Sequence, residues 1–139
     1  MIMKNWMEVT FPALSLNESL ARLVVSAFVL GLDPDVDTLS DIKTAVSEAV
    51  TNAVIHGYDG KAGDVFLRLR SEERKVYIEI EDRGCGIDDI KKAMEPMFTT
   101  KASEERSGLG FTVMESFMDL VEVESERDKG TTVRLMKEV

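Results

Sequence analysis

Apolar residues recur along the chain at two spacings, and these predict where helices and strands lie. A spacing of three and four residues predicts a first helix over residues 16–30 and a second from about residue 38 to residue 56, ended by Gly57. A last helix opens at Gly108-Leu-Gly110. Alternation of apolar and polar residues predicts strands over residues 6–11, 65–70, 76–81, 121–126 and 131–136.

The connecting segments predict caps, turns and one long loop. Ser15 and Glu18 have the spacing of a capping box for the first helix, and residues 38–41 form a cap-like pattern at the start of the second. A short helical piece is predicted near residues 88–94. Residues 95–107 show little periodicity, and this pattern predicts a long loop of the kind that often closes over a site as a lid.

The order of the elements is strand, two helices, two strands, loop, helix, two strands. This order predicts an α+β fold, an α/β sandwich in which a mixed, mostly antiparallel sheet carries helices on one face. The chain has 139 residues without an internal repeat or linker, which predicts a single domain over residues 1–139.

Composition indicates an ordinary globular protein. Hydrophobic residues make up 44% and charged residues 31% of the chain, and no apolar run has the length of a membrane span. The first residues lack the apolar core of a signal peptide, and the single cysteine, Cys85, cannot form an internal disulfide. We therefore expect a cytoplasmic protein without a membrane partner.

Net charge limits the kinds of partner. Seventeen Lys and Arg residues against 26 Asp and Glu residues give a net charge of -9, which disfavours binding to nucleic acid. A bound nucleotide would need locally placed positive groups near its phosphates. A protein partner with a basic surface is favoured electrostatically.

The first candidate for chemistry is the pair Glu48 and Asn52 on the second helix. Residues four apart project side by side, so a carboxylate lies beside a carboxamide. An amide oxygen can ligate Mg²⁺ and a carboxylate can deprotonate an attacking hydroxyl, which suits phosphate chemistry. The alternative is a solvated pair on an amphipathic helix.

The second candidate is Asp82-Arg-Gly84-Cys-Gly86, which directly follows a predicted strand. The two glycines allow the backbone to turn tightly and approach a ligand, and the carboxylate can accept a hydrogen bond from an exocyclic amine such as that of adenine. The alternative is a turn at the end of a strand with an Asp cap.

The third candidate is Ser107-Gly108-Leu-Gly110, where the loop becomes a helix. Free backbone amides and the positive end of the helix dipole favour an anion there, and Lys101 and Arg106 add positive charge. The alternative is a flexible glycine hinge with ordinary loop charges.

Taken in order, these three segments resemble the N, G1 and G2 boxes of the ATPase superfamily of DNA gyrase, Hsp90, histidine kinases and MutL, and imply its histidine-kinase-like ATPase (Bergerat) fold. Residues 98–101 are similar to the F box of the lid in that superfamily. Gly130-Thr-Thr132 is similar to the strand end whose threonine supports adenine recognition. The resemblance covers residues 38–133.

Within that superfamily, the chain resembles the free-standing bacterial serine kinases that act as anti-sigma-F factors in sporulation. The similar segments are residues 17–22, 46–58, 96–101 and 105–115. The resemblance implies a homodimer that binds ATP (or ADP) with Mg²⁺ and inhibits a sporulation sigma factor. It also implies phosphorylation of a serine on a small anti-anti-sigma protein, which releases the sigma factor.

The resemblance also implies roles for individual residues. Glu48 would be the catalytic base, Asn52 the Mg²⁺ ligand, and Asp82 the contact to the adenine amine. Arg106 would reach the γ-phosphate, and Arg22 would belong to the surface contested by the sigma factor and its antagonist. The other implied nucleotide-binding residues are Gly84, Gly86, Thr99, Thr100, Lys101, Ser107, Gly108, Leu109, Gly110, Thr131 and Thr132.

Three alternatives stay open from the sequence. One is an anti-sigma module that senses ATP but transfers nothing. The second is a related switch kinase of the stress response, and the third is the detached catalytic subunit of a histidine kinase. Residues 59–64 depart from the pattern of the family and have no assigned role.

Overall fold

The fold consists of one five-stranded sheet and three helices, seen in a computed structural model that describes residues 4–87, Met94 and residues 110–139. The second helix, α2 (Val36–Thr51), continues directly into a π-helical turn, Asn52–Gly57. In chain order the elements are β1 (Lys4–Pro12), α1 (Leu16–Leu30), α2 (Val36–Thr51), β2 (Asp64–Glu72), β3 (Lys75–Asp82), α3 (Gly110–Phe117), β4 (Leu120–Glu126) and β5 (Gly130–Glu138).

The strands follow the order β1-β2-β3-β5-β4 across the sheet. Every neighbouring pair is antiparallel, which confirms the predicted α+β class and makes the described sheet fully antiparallel. Strand β5 lies between β3 and β4, and its first residues pair with the last residues of β3: Asp82 is opposite Thr131, and Glu81 is opposite Thr132. This pairing places the second candidate motif beside the start of β5.

The hydrophobic core lies between one face of the sheet and the helices. Alternate residues of the strands point into it because successive side chains of a strand project to opposite faces. Helix α2 contributes Ile42, Val46 and Val50, none of which has measurable exposure. The strand residues buried against it include Val65, Leu67, Leu69, Val76, Ile78, Ile80, Val133 and Leu135. The sequence pattern predicted this face of α2 correctly.

The opposite face of the sheet carries alternating charges. Arg68 donates hydrogen bonds of 2.7 Å to Glu79 and to Glu81, and Arg134 donates one of 2.8 Å to Glu79. These ion pairs are part-exposed, so each is expected to contribute little to stability. Among the described residues, the helices cover only the core face of the sheet and leave this charged face open.

The predicted caps differ from those observed. Helix α2 begins at Val36, two residues earlier than predicted, because the Asp35 side chain accepts a 2.7 Å hydrogen bond from the amide of Thr38. Ser15 precedes α1 but makes no side-chain capping bond, so the predicted capping box is wrong. The first helix has the predicted bounds. The predicted helical piece 88–94, apart from Met94, and the predicted loop 95–107 lie outside the described residues.

No helix within residues 4–87 and 110–139 combines the length and the apolarity needed to cross a membrane.

Candidate functional site

Glu48 and Asn52 lie side by side on the last turn of α2 and the start of the π-helical turn, as their spacing predicts. Both side chains are half-buried, and both lie beside the first residue of α3. A Cβ atom placed on Gly110 would lie 3.3 Å from Oε2 of Glu48 and 3.5 Å from the side-chain amide atoms of Asn52. The structure therefore brings the first candidate pair against the last glycine of the third candidate motif, although about 60 residues of sequence separate them.

The π-helical turn connects this pair to the second candidate motif. The amide of Tyr58 donates to the carbonyl of Ala53, five residues earlier, at 3.1 Å. Such wide turns are frequent at functional sites. The sequence did not predict the π-helical turn, since its apolar residues continue the helical pattern of α2.

Gly57 and Gly84 allow two backbone segments to touch. The amide of Cys85 donates to the carbonyl of Gly57 at 2.7 Å. A Cβ atom on Gly84 would lie 1.8 Å from that same carbonyl oxygen, and one on Gly57 would lie 2.6 Å from the carboxyl carbon of Asp82. Only glycine fits at either position, so the end of the π-helical turn packs directly on the Asp82 turn.

Asp82 is a buried carboxyl group at the centre of this contact, with 5% of its surface exposed. It accepts a 3.0 Å hydrogen bond from the amide of Gly84 and another from the backbone of Thr131. Burial raises the pKa of Asp82 to about 6, an effect that these hydrogen bonds only partly oppose. A buried carboxyl group whose pKa is raised in this way is a candidate for contacting a ligand.

Thr131 is held in place by Ser125 of the neighbouring strand β4. The two hydroxyl oxygens are 2.8 Å apart, and Ser125 also donates to the carbonyl of Gly130 at 3.0 Å. The amide of Ile87 donates to Ser125 at 2.7 Å. Ser125 therefore joins the Gly86 turn to β5, a role that the sequence reasoning missed because it depends on strand pairing.

Tyr58 is a second residue that the sequence reasoning missed. Its ring is buried, and Gly63 packs against it. Its hydroxyl donates a hydrogen bond to the carbonyl of Asp64 and accepts one of 2.8 Å from the amide of Arg83. Burial raises its pKa, so the phenol stays neutral. The sequence signal that could have indicated Tyr58 is its position, an aromatic residue directly after the helix-ending Gly57.

The structure does not bring every predicted residue to this site. Thr132 alternates with the buried Thr131 and Val133, so it lies on the open face of the sheet, away from Asp82. Arg22 lies between α1 and α2, where it is 3.8 Å from Glu18 and donates to Ser47 at 3.3 Å. Seven predicted residues lie outside the described part of the chain: Thr99, Thr100, Lys101, Arg106, Ser107, Gly108 and Leu109.

Asn52, the predicted magnesium ligand, suits a site in which the substrate supplies the remaining ligands of the metal. Within residues 4–87 and 110–139, no group of three or more His, Cys, Asp or Glu side chains could hold a metal ion alone. Mg²⁺ in phosphoryl-transfer sites commonly takes one or two protein oxygens together with phosphate oxygens and water. The side-chain oxygen of Asn52, beside the start of α3, would provide one such oxygen.

Comparisons with known proteins identify the class of this fold and site. A family described as "Histidine kinase-like ATPase domain" matches residues 11–137. The chain is also similar to the crystal structure of the RsbU and RsbW domains of Rv1364c from Mycobacterium tuberculosis, with a TM-score of 0.68 and 18% sequence identity over 96% of this chain and 32% of that chain. The chain thus has the fold of the histidine kinase-like ATPase domains.

Curated relatives narrow the class further. The anti-sigma F factor of a Thermoanaerobacter species is 55% identical over 133 residues, covering 96% of this chain and 93% of the relative. The anti-sigma F factor of Bacillus subtilis is 53% identical over 136 residues, covering 97% of this chain and 93% of the relative. The chain belongs to the family of the anti-sigma F factors.

Proposed function

We propose that this protein is an ATP-dependent anti-sigma factor of sporulation that inhibits a sigma F factor and phosphorylates a serine of its anti-anti-sigma antagonist. The near full-length identity with anti-sigma F factors supports the regulatory role. The match to the histidine kinase-like ATPase domains supports the use of ATP. A regulator of this kind acts in the cytoplasm.

The observation that carries the proposal is the convergence of three distant segments. Asp82 lies against Gly57 at one end of the π-helical turn, and Gly110 lies against Glu48 and Asn52 at the other. The proposed nucleotide lies along this turn, with its adenine amine at the Asp82 carboxylate and its phosphates near the start of α3. Backbone amides at the start of a helix favour anions, which agrees with that direction.

Different residues of the chain have different roles in the proposed phosphoryl transfer. Glu48 accepts the proton of the substrate serine hydroxyl as the serine oxygen bonds to the γ-phosphorus. The bond from the γ-phosphorus to the β–γ bridging oxygen breaks, and ADP leaves with that electron pair. Asn52 would hold Mg²⁺, which when bound neutralises phosphate charge. Lys101 and Arg106, with the 107–110 motif, complete the proposed phosphate contacts.

The partners follow from the same proposal. A sigma factor and the unphosphorylated antagonist compete for a surface that includes Arg22, and the protein forms a homodimer. Glu18 and Ser47 both contact the Arg22 side chain, which leaves it 41% exposed between two helices. An exposed cation held in one orientation suits the recognition of an acidic group on a partner.

Incubation with radiolabelled ATP, Mg²⁺ and the serine-bearing antagonist tests the proposal. We expect label on one serine of the antagonist, none on a variant in which that serine is alanine, and capture of sigma F in the presence of ATP. Capture without label would instead indicate a module that senses ATP but transfers nothing. The proposal would be contradicted if the protein neither captured sigma F nor transferred label to the antagonist.

A further inference from the structure

The hydroxyl group of Ser125, on strand β4, is bonded to three neighbours at once. It accepts from the amide of Ile87 at 2.7 Å, donates to the carbonyl of Gly130 at 3.0 Å, and lies 2.8 Å from the hydroxyl oxygen of Thr131. A serine hydroxyl has one hydrogen to donate and two lone pairs. With its hydrogen on the Gly130 carbonyl, the Thr131 hydroxyl is the donor of the third contact, so the Ser125 hydroxyl is fully paired.

One peptide group connects Ser125 to the buried carboxyl group of Asp82. The carbonyl of Gly130 and the amide of Thr131 belong to the same peptide unit. That carbonyl accepts from Ser125, and that amide donates to the Asp82 carboxyl group. A hydrogen bond at one end of a peptide group polarises it and strengthens the bond at its other end. The Ser125 hydroxyl therefore fixes the direction of the amide and makes it a stronger donor to Asp82.

The turn that contains Gly86 packs on the hairpin formed by β4 and β5. The amide of Asp128 donates to the carbonyl of Cys85 at 2.7 Å. A Cβ atom on Gly86 would lie 2.2 Å from the carbonyl oxygen of Glu126, so the two backbones touch. Ser125 adds a side-chain hydrogen bond to the end of the same turn. The position of the turn therefore depends on the hairpin and on this serine.

We propose that Ser125 is a positioning residue for adenine recognition, which it serves by holding the Thr131 amide on the carboxyl group of Asp82. The amides of Gly84 and Thr131 together fix the rotation of that carboxyl group, so its remaining acceptor capacity keeps one direction. In this arrangement the exocyclic amine of the nucleotide meets a carboxylate oriented before binding, which lowers the cost of forming the contact. The inference rests on the nucleotide site of the proposed function and adds a residue that acts on the nucleotide through Asp82.

A positioning role differs from a purely structural one in the nucleotides that it affects. A change that only loosens the fold weakens every nucleotide alike, because all of them share the ribose and the phosphates. A change that misdirects the Asp82 carboxylate weakens only a nucleotide that carries the amine. Purine riboside triphosphate, which lacks the exocyclic amine of ATP, separates these two effects.

Calorimetric titration of the full chain with the two nucleotides, in the presence of Mg²⁺, tests the proposal. We expect Ser125→Val to weaken ATP binding by about tenfold, near the upper end of the net value of one hydrogen bond, and to weaken the analogue by less than about twofold. Ser125→Thr has nearly the shape of the valine variant but keeps the hydroxyl, and it should bind both nucleotides as the unchanged protein does. Ser125→Ala, which adds no bulk to the site, should reproduce the difference between the two nucleotides.

Ser71→Ala is the matched control, because Ser71 is a second strand serine that lies far from the site. It is 2% exposed and pairs with Val76, at the end of β3 opposite to Asp82. This variant should leave the affinity for both nucleotides unchanged.

The outcomes separate the role of Ser125 from the proposed function itself. Equal losses of ATP and of the analogue in the Ser125→Ala variant, or no loss of either, would overturn the positioning role. A loss of ATP affinity in Ser125→Thr as large as in Ser125→Val would also overturn it, since the hydroxyl would then not matter. Absence of ATP binding by the unchanged protein would instead contradict the proposed function, and this inference with it.

Discussion

At the scale of single residues, burial of Asp82 disfavours the charged form of its carboxyl group. The pKa of its carboxyl group is 3.8 in the unfolded chain and about 6 when folded, so the folded state binds the proton more tightly. Stability therefore falls as pH rises from 3.8 through about 6. We expect Asp82→Asn to stabilise the nucleotide-free protein at pH 7 by up to about 3 kcal/mol and to change little near pH 4. Denaturant unfolding at the two pH values checks this, and a variant less stable at pH 7 would contradict it.

Glu48 is the proposed catalytic base. Glu48→Gln keeps the shape of the side chain and removes its capacity to accept a proton, so nucleotide affinity should stay nearly unchanged while serine transfer falls by about 100- to 10,000-fold. The rate of antagonist phosphorylation, measured at saturating ATP, checks this. Transfer at a rate similar to the unchanged protein would mean that another group takes the proton.

At the scale of elements, the contact between the π-helical turn and the Asp82 turn depends on glycine. Gly84→Ala should destabilise the fold by about 1–3 kcal/mol and weaken nucleotide binding, because its methyl group would overlap the carbonyl of Gly57. Gly31→Ala is the control, since that Cβ atom has an ordinary contact of 3.4 Å with the carbonyl of Phe28. Equal unfolding midpoints for the two variants would show that the close approach is not required.

The elements also show what sequence patterns can and cannot predict. The apolar face of α2 and the side-by-side placement of Glu48 and Asn52 follow from helical periodicity, and both were predicted. Ser125 and Tyr58 were missed because their hydrogen bonds join segments far apart in sequence. The start of α2 was predicted two residues late because Asp35 and Thr38 are both suitable capping residues, and only the fold selects between them.

At the scale of the whole molecule, the net charge of -9 should affect the rate at which a protein partner binds. A partner with a basic surface should bind faster at low ionic strength, and raising salt from about 0.05 M to about 0.5 M should slow association by tenfold or more. Surface plasmon resonance with immobilised sigma F measures this rate. An association rate that does not change with salt would show that charge does not guide the encounter.

The proposed nucleotide site, which runs from Asp82 to the Glu48–Asn52 pair beside Gly110, is tested most directly by a calorimetric titration with ATP and Mg²⁺ at neutral pH. We expect saturable binding by the unchanged protein, weaker binding of GTP, and a loss of about 10- to 100-fold in ATP affinity for Asp82→Asn, since a hydrogen bond to a charged group is worth about 1.5–3 kcal/mol. Absence of adenine-nucleotide binding, or equal affinity of the Asp82→Asn variant, would contradict the account.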